Sequence, residues 1–324
     1  MDFIKDTIIY NKKLISQNIF HIVFGIDNDF VRPMGVLMTS ILLNNPAEQI
    51  SFHIITKFIS KSEKQSLKNF SSINNVEIYI YIIDDNFFAN LPVTSYISQA
   101  MYNRFLIPLI LKNTTSTVLY LDSDIICLNS IAKLKTIDIT NKIVAVTEES
   151  NTYVVQQQIN KLNLKNNKYF NSGMLYINIK KWIQNDITNK LLTASKEYNN
   201  LLFPDQDLLN IVLENDCKYI DNIFNYTFDV RYKPNRYIYT IPDNTVFLHY
   251  VGRFKPWQEW CMHPLREKFR EIAKMSLWKN IPWDKPKTYK QMKNMAKSYW
   301  IYDQKIKSLF WYLKYSVYKI KSKL

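Results

Sequence analysis

Two carboxylates, Asp122 and Asp124, stand two residues apart where an apolar run ends, in "TVLYLDSDIICL" from Thr117 to Leu128. Residues i and i+2 of an extended chain point to the same side, so both acids can converge on one point. Ionised carboxylates that close repel each other unless a cation sits between them. Hard oxygen ligands suit Mg²⁺ or Mn²⁺ and leave positions open for phosphate oxygens. The triplet also fits a solvated turn or a helix cap, as most isolated D-x-D triplets do. A second group lies in "VFLHYVGRFKPW", where His249 closes an apolar run and Gly252 and Lys255 follow within one loop. An imidazole can supply a nitrogen ligand to a metal. A glycine-containing loop with a lysine can receive phosphate through backbone N–H groups and a point charge. A core histidine beside a surface lysine accounts for the same residues. "YFNSGMLYIN" sets Asn171, Ser172 and Gly173 just before a strand, where a tight turn would explain them. "PDQDLLN" sets Asp205, Gln206 and Asp207 at a helix start, where the helix dipole favours acids whatever the function.

The elements that must position these residues alternate in type. "NIFHIVFGID", "ISFHIITKF", "VEIYIYIID", "STVLYLDSD" and "KIVAVTEE" read as strands. Between them, "RPMGVLMTSILLNNP", "SKSEKQSLKNFSSI" (opened by a Ser cap) and "SQAMYNRFLIPLIL" read as helices. Strands and helices alternating at this spacing argue for a parallel sheet in an α/β layer structure. In such sheets the ligand crevice lies beyond the carboxyl ends of the strands. Three strand ends there carry acids: Asp27, Asp122/Asp124 and Glu148/Glu149.

The chain has 324 residues, 47% of them hydrophobic, which supplies a sizeable core and excludes wholesale disorder. It has only four glycines, so each is expected where a side chain will not fit. Its three cysteines, Cys127, Cys217 and Cys261, form no C-x-x-C pair or disulfide framework, which favours a reducing compartment. No signal-peptide core and no run of about 18 apolar residues is seen, so the expected location is the cytoplasm.

Net charge is +14, and it is concentrated at one end: from Lys285 to Leu324 there are eleven lysines against one acid, Asp303. In the same stretch Met295, Tyr299, Tyr302, Ile306, Leu309, Leu313, Val317, Ile320 and Leu324 recur at steps of three and four, the helical period. A basic amphipathic helix carrying Trp and Tyr suits an anionic membrane interface. It also suits a helix packed on the body with its lysines in water. Nucleic acid is not the expected partner, because the charge is confined to one helix and no recognition motif accompanies it.

Taken in order, "VFGIDNDF", "YNRFLIP", "LYLDSDI", "YFNSGMLYIN", "PDQDLLN" and "HYVGRFKPW" resemble the family 8 retaining glycosyltransferases. Within that family the set is similar to bacterial lipopolysaccharide core α-glucosyl- and α-galactosyltransferases. The resemblance runs from about residue 18 to 270, and the tail resembles the C-terminal region of lipopolysaccharide members. It implies a GT-A (Rossmann-like) fold, a mixed, mainly parallel sheet flanked by helices, with a basic amphipathic helical tail. The expected divisions are an arm at 1–18, a catalytic domain at 19–278 and a membrane-association region at 279–324. The implied donor is UDP-glucose or UDP-galactose, the metal Mn²⁺ or Mg²⁺, and the acceptor lipopolysaccharide core at the inner face of the inner membrane.

By motif position, Asp122, Asp124 and His249 would hold the metal, and Gly252 and Lys255 the phosphates. Asp27, Asp29 and Phe30 would receive uridine, with Asp29 and Phe30 standing where Asn and Tyr are usual. Asp122 and Ser123 would also touch the nucleotide sugar, and Arg104, Asn171, Ser172 and Asp205 the donor sugar. Gln206 would lie beneath the anomeric carbon, and Asp205, Gln206 and Asn171 form the implied catalytic set. A neutral amide is a poor nucleophile, which favours same-face substitution over double displacement. The rival readings are a phosphoryl-transfer hydrolase using the D-x-D pair and a non-catalytic membrane-surface protein. The apolar Ile125-Ile126-Cys127 after Asp124 speaks against the first, and an intact set of polar motifs against the second.

Overall fold

The structure is a computed structural model that describes residues 3–12, 18–84, 87–88, 91, 99–198, 200–231 and 240–322. Eleven strands are described: β1 (Ile4–Tyr10), β2 (Phe20–Gly25), β3 (Ile50–Thr56), β4 (Glu77–Ile83), β5 (Thr117–Leu121), β6 (Ile125–Cys127), β7 (Val144–Glu148), β8 (Phe170–Asn178), β9 (Cys217–Ile220), β10 (Tyr226–Asp229) and β11 (Phe247–Val251). Eight form one sheet in the order β1-β4-β3-β2-β5-β8-β7-β9, and three form a second in the order β10-β11-β6.

The large sheet is mixed. Strands β4, β3, β2 and β5 run parallel, as do β7 and β9, while β8 returns antiparallel between β5 and β7. Because β8 reverses, the carboxyl ends of β2, β5 and β7 and the amino end of β8 share one edge. Central strands such as β3 are covered on both faces, so even Ser51, His53 and Thr56 of β3 are buried. Residues 4–10 of the expected arm are an edge strand, paired antiparallel with β4.

The helix Lys61–Asn74 starts as expected, with the Ser60 hydroxyl accepting from the Glu63 N–H. The expected helix at 98–111 differs. Ser98 lies outside the described residues, Gln99–Leu106 is a 3₁₀ helix, and only Ile107–Leu111 is α-helical. Pro108 has no N–H to donate to the Arg104 carbonyl one turn back, so a continuous α-helix would lose a bond there.

Asn171–Gly173 is also not a turn; it lies inside β8. Opposite it, the β7 register slips between Ala145 and Thr147, and the Gly173 N–H donates to the Asn171 side chain (3.0 Å). The chemistry of a turn is present, but in an irregular strand.

At each of the four glycines a Cβ would lie within 3 Å of another residue's atom: 2.8 Å at Gly25, 2.3 Å at Gly35, 2.3 Å at Gly173 and 2.9 Å at Gly252. At Gly35 the obstacle is the buried ring of Trp278, which seats the end of the body on the helix Val31–Asn44.

The tail is two helices, Tyr289–Ile301 and Lys305–Lys321, and not one. Asp303 takes a left-handed conformation (φ 59°) between them, and the Gln304 N–H closes the first helix onto the Tyr299 carbonyl (2.9 Å). The 3.6 period runs across this break, so periodicity alone does not reveal it. The first helix buries Met295 and Ala296, and Ser298 donates to the Trp260 carbonyl (2.6 Å). The second leaves Ile306, Leu309, Leu313, Val317 and Ile320 exposed, from 50% at Val317 to 88% at Ile306. Lys323 and Leu324 lie outside the described residues. Among those described, no helix is long and apolar enough to cross a membrane.

Candidate active site

The D-x-D triplet is the link between the two sheets. Strand β5 ends at Leu121, Asp122-Ser123-Asp124 turns, and β6 enters the second sheet beside β11. There Ile125 faces His249, and the Tyr250 N–H donates to the Asp124 carbonyl (3.0 Å). This pairing brings His249 to the carboxylates across a long stretch of sequence. Ligand atoms of Asp122, Asp124 and His249 all lie within 4.8 Å of one another, the one such group among the described residues.

Each carboxylate has its own cation. Arg104 Nη2 donates to Asp122 Oδ1 (2.8 Å), and Lys255 Nζ donates to Asp124 Oδ2 (2.6 Å) and to the Tyr250 carbonyl (2.6 Å). Burial alone would raise the Asp124 carboxyl, but the Lys255 ammonium, the largest opposing influence, helps hold the group well below the usual carboxylate range. Asp124 Oδ1 is buried without a well-aligned donor, although His249 Nε2 is 3.1 Å away. An anionic oxygen and an imidazole nitrogen facing each other in this way form a donor set that fits a hard divalent cation.

Arg104 organises the neighbouring wall. Its Nη1 donates to the Ser172 carbonyl (2.7 Å) and hydroxyl (2.8 Å) and lies 3.1 Å from Asp205 Oδ2. The Ser172 hydroxyl in turn donates to Asp205 (3.2 Å), and the Ser172 N–H to Gln206 Oε1 (2.9 Å). Burial pushes the Asp205 carboxyl up against the pull of Arg104. Burial opposes the charge of Arg104, yet Asp122, Tyr120 and Asp205 together raise its guanidinium further.

At the same helix start Asp207 has a different task. It accepts from Gln158 (2.7 Å) and from the N–H groups of Leu202 (3.0 Å) and Phe203 (3.1 Å), holding the entering loop. Holding that loop accounts for Asp207, while Asp205 and Gln206 face the Arg104 wall.

A cavity of about 210 Å³ opens beside the triplet, lined among others by Asp27, Phe30, Arg104, Asp122, Ser123 and Asp124. Phe30 stands edge-on to Trp257 from the loop after β11, with ring centroids 6.1 Å apart. Asp29 sits beside it in the short 3₁₀ turn Asn28–Phe30. Gly252, which directly follows β11, is not part of this lining; its positive φ of 80° and the nearby Asp229 carboxylate explain the glycine. A larger cavity, about 600 Å³, lies by Arg266, Arg270, Tyr299 and Lys307 at the foot of the tail helices. It holds no carboxylate–imidazole group.

Asn171 contacts neighbours that the motifs did not reveal. Its Nδ2 donates to Glu149 (2.8 Å), and its Oδ1 accepts from Asn225 (2.9 Å), which also faces His249 (2.9 Å). Asn225 lies in "NIFNYTFD", which has no motif or period that would single it out.

Residues 21–261 match the profile of glycosyl transferase family 8, and residues 263–319 that of the glycosyl transferase family 8 C-terminal region. The chain belongs to glycosyl transferase family 8. Relatives span nearly its whole length. It is 32% identical to the lipopolysaccharide 1,3-galactosyltransferase of Salmonella typhimurium, over 91% of this chain and 90% of that protein. It is 29% identical to the lipopolysaccharide glucosyltransferase WaaO of Escherichia coli, over 99% and 97%. The structure of the galactosyltransferase LgtC in complex with donor and acceptor sugar analogues superimposes with a TM-score of 0.70 at 25% identity, covering 80% of this chain and 96% of that one. The family 8 fold is therefore a GT-A α/β architecture, with the candidate site at the strand edge where such sheets bind ligands. Glycosyl transfer is the activity that this membership carries.

Proposed function

We propose that this family 8 enzyme transfers glucose or galactose from a UDP-sugar to lipopolysaccharide core, with retention and with a divalent cation, Mn²⁺ or Mg²⁺. The observation that carries the reading is the Asp122–Asp124–His249 group beside a cavity walled by Asp27, Phe30 and Arg104. The names of the lipopolysaccharide galactosyl- and glucosyltransferase relatives support the acceptor class, and leave the choice of hexose to experiment. When bound, the cation would neutralise charge developing on the UDP leaving group.

The chain's own residues do the rest. Phe30 offers an aromatic face to uracil and Asp27 and Asp29 polar contacts beside it, while Ser123 and Gly252 approach the nucleotide from the triplet and the loop. Lys255 already has its ammonium at the cluster, within reach of a diphosphate oxygen. Arg104 fixes Ser172 and Asp205, and these with Asn171 shape the sugar subsite. Gln206 keeps its carbonyl oxygen at the Ser172 N–H and has a second lone pair to stabilise positive charge at the anomeric carbon. Same-face substitution follows from that neutral amide, with a donor phosphate oxygen accepting the acceptor's proton. A glycosyl adduct trapped on Asp205 or Asp207 would sink this mechanism.

The functional tail begins near residue 279, after Trp278 is seated on Gly35. Its second helix has exposed Leu309, Leu313 and Ile320 among lysines, which supports peripheral association with the anionic inner face of the inner membrane from the cytoplasm. The test is UDP release with UDP-glucose and UDP-galactose, with and without Mn²⁺, on truncated core oligosaccharides. Metal-dependent release with one donor is expected. No turnover with any nucleotide sugar, together with phosphatase activity, would overturn the reading.

A further inference from the structure

His249 is held from behind by a chain of buried amides whose orientations are fixed one by one. It begins just after β7 at Glu149, whose carboxylate oxygens act as acceptors. Asn171 therefore presents its amino group to Glu149 Oε2 (2.8 Å). Its oxygen is left to accept from the Gly173 N–H (3.0 Å) and from Asn225 Nδ2 (2.9 Å). With its amino group committed to Asn171, Asn225 can turn only its oxygen to His249 Nδ1, 2.9 Å away. That oxygen has no proton to give, so Nδ1 must carry one. Whenever the ring is neutral, its Nε2 lone pair is then the one left open on the side of the carboxylates, with Asp124 Oδ1 3.1 Å away. Asn171, Asn225 and His249 are 6%, 2% and 4% exposed, so water does not readily replace these partners.

We propose that Asn225 is a positioning residue: oriented by Glu149 through Asn171, it fixes His249 as the Nδ1-protonated tautomer and so presents Nε2 as a ligand. The inference rests on the metal reading above for its purpose, and on the hydrogen-bond chain alone for its geometry. Partners behind a ligating histidine orient the ring and raise its basicity, and losing one typically costs about 10–100-fold in metal affinity.

The test uses the full chain. The protein has four histidines, so ¹⁵N-histidine spectra are tractable, and His249→Gln assigns the signal. Long-range ¹⁵N–¹H correlations on metal-free protein, about two units above the ordinary imidazole pKa of about 6.5, should show a proton on Nδ1 of His249. In Asn225→Ala the proton should move to Nε2, where Asp124 can accept it, and Mn²⁺ affinity by calorimetry should fall about 10–100-fold. An Nε2-protonated His249 in the wild-type protein would overturn the proposal whether or not the variant folds. So would a folded Asn225→Ala with unchanged Mn²⁺ affinity. Absence of Mn²⁺ binding to wild type would instead refute the metal reading, while the metal-free spectrum still decides the tautomer.

Discussion

Gly173→Ala offers a sharp perturbation, because its two expected consequences have opposite signs. Gly173 lies in β8, and its φ is not positive, so alanine carries no backbone strain there. In a strand interior alanine is ordinarily better than glycine by roughly 0.5–1 kcal/mol. The added Cβ, however, would sit 2.3 Å from His249 Cε1 and 2.8 Å from Nδ1. Carbon atoms rest at about 3.5–4.0 Å, so the ring or the strand must give by roughly 1.2 Å. Metal–ligand distances tolerate about 0.2 Å, and a misplacement of about 1 Å can cost roughly 10²-fold in rate. We expect Mn²⁺ affinity by calorimetry and UDP release each to fall by on the order of 10²-fold. Thermal unfolding should show a stability change of no more than about 1–3 kcal/mol, the usual cost of overpacking. A variant that gains stability and keeps wild-type metal affinity and turnover would show that the His249 ring is not held where the geometry places it, or is not a ligand.

Three further outcomes follow from the same structure. Asp124→Ala should abolish UDP release while far-UV circular dichroism stays native; unchanged activity would remove Asp124 from the metal site. Stability should decline as pH falls below about 6.5, because burial, and then the neighbouring His21, hold the His53 imidazole well below its ordinary value. The native state thus resists a proton that the unfolded chain accepts, and the slope is up to about 1.4 kcal/mol per pH unit per such group. His53→Gln should flatten this slope in urea titrations between pH about 5 and 7, and an unchanged slope would assign it elsewhere. Leu309→Glu with Leu313→Glu should release the protein from anionic vesicles in co-sedimentation while leaving turnover on a soluble acceptor intact. Undiminished sedimentation would exclude this face as the membrane contact.

What the sequence made legible was local. Apolar runs, the Ser60 cap and the acids at strand ends depend on neighbours a few residues away, and those elements stand where the residues predict them. Much of what it concealed depends on residues far apart in the chain. Asn-Ser-Gly has the composition of a turn, yet Gly173 is small because the ring of His249 lies on it. The tail keeps its helical period through Asp303, so only backbone geometry reveals two helices. Asn225 has no local signal, since its contacts are made with Asn171 and His249.

The electrostatic question set by Asp122 and Asp124 also has a more specific answer than their spacing suggested. Their spacing calls for a shared cation, but Arg104 compensates one and Lys255 the other, so the protein's own side chains let the pair coexist in the folded chain. These cations differ in freedom. Arg104 is buried and bonded to Ser172, Asp122 and Asp205, so leaving would strand buried partners. Lys255 has a flexible stem and holds Asp124 through a single ammonium. On the proposed function, Asp124 and His249 would help hold a divalent cation whose charge could stand in for that of Lys255, so the Lys255 ammonium could turn to an anionic oxygen of the donor. On that proposal the residue that compensates Asp124 would also be the one placed to meet the leaving group. The buried arginine, by contrast, stays committed to the wall formed by Ser172, Asp122 and Asp205.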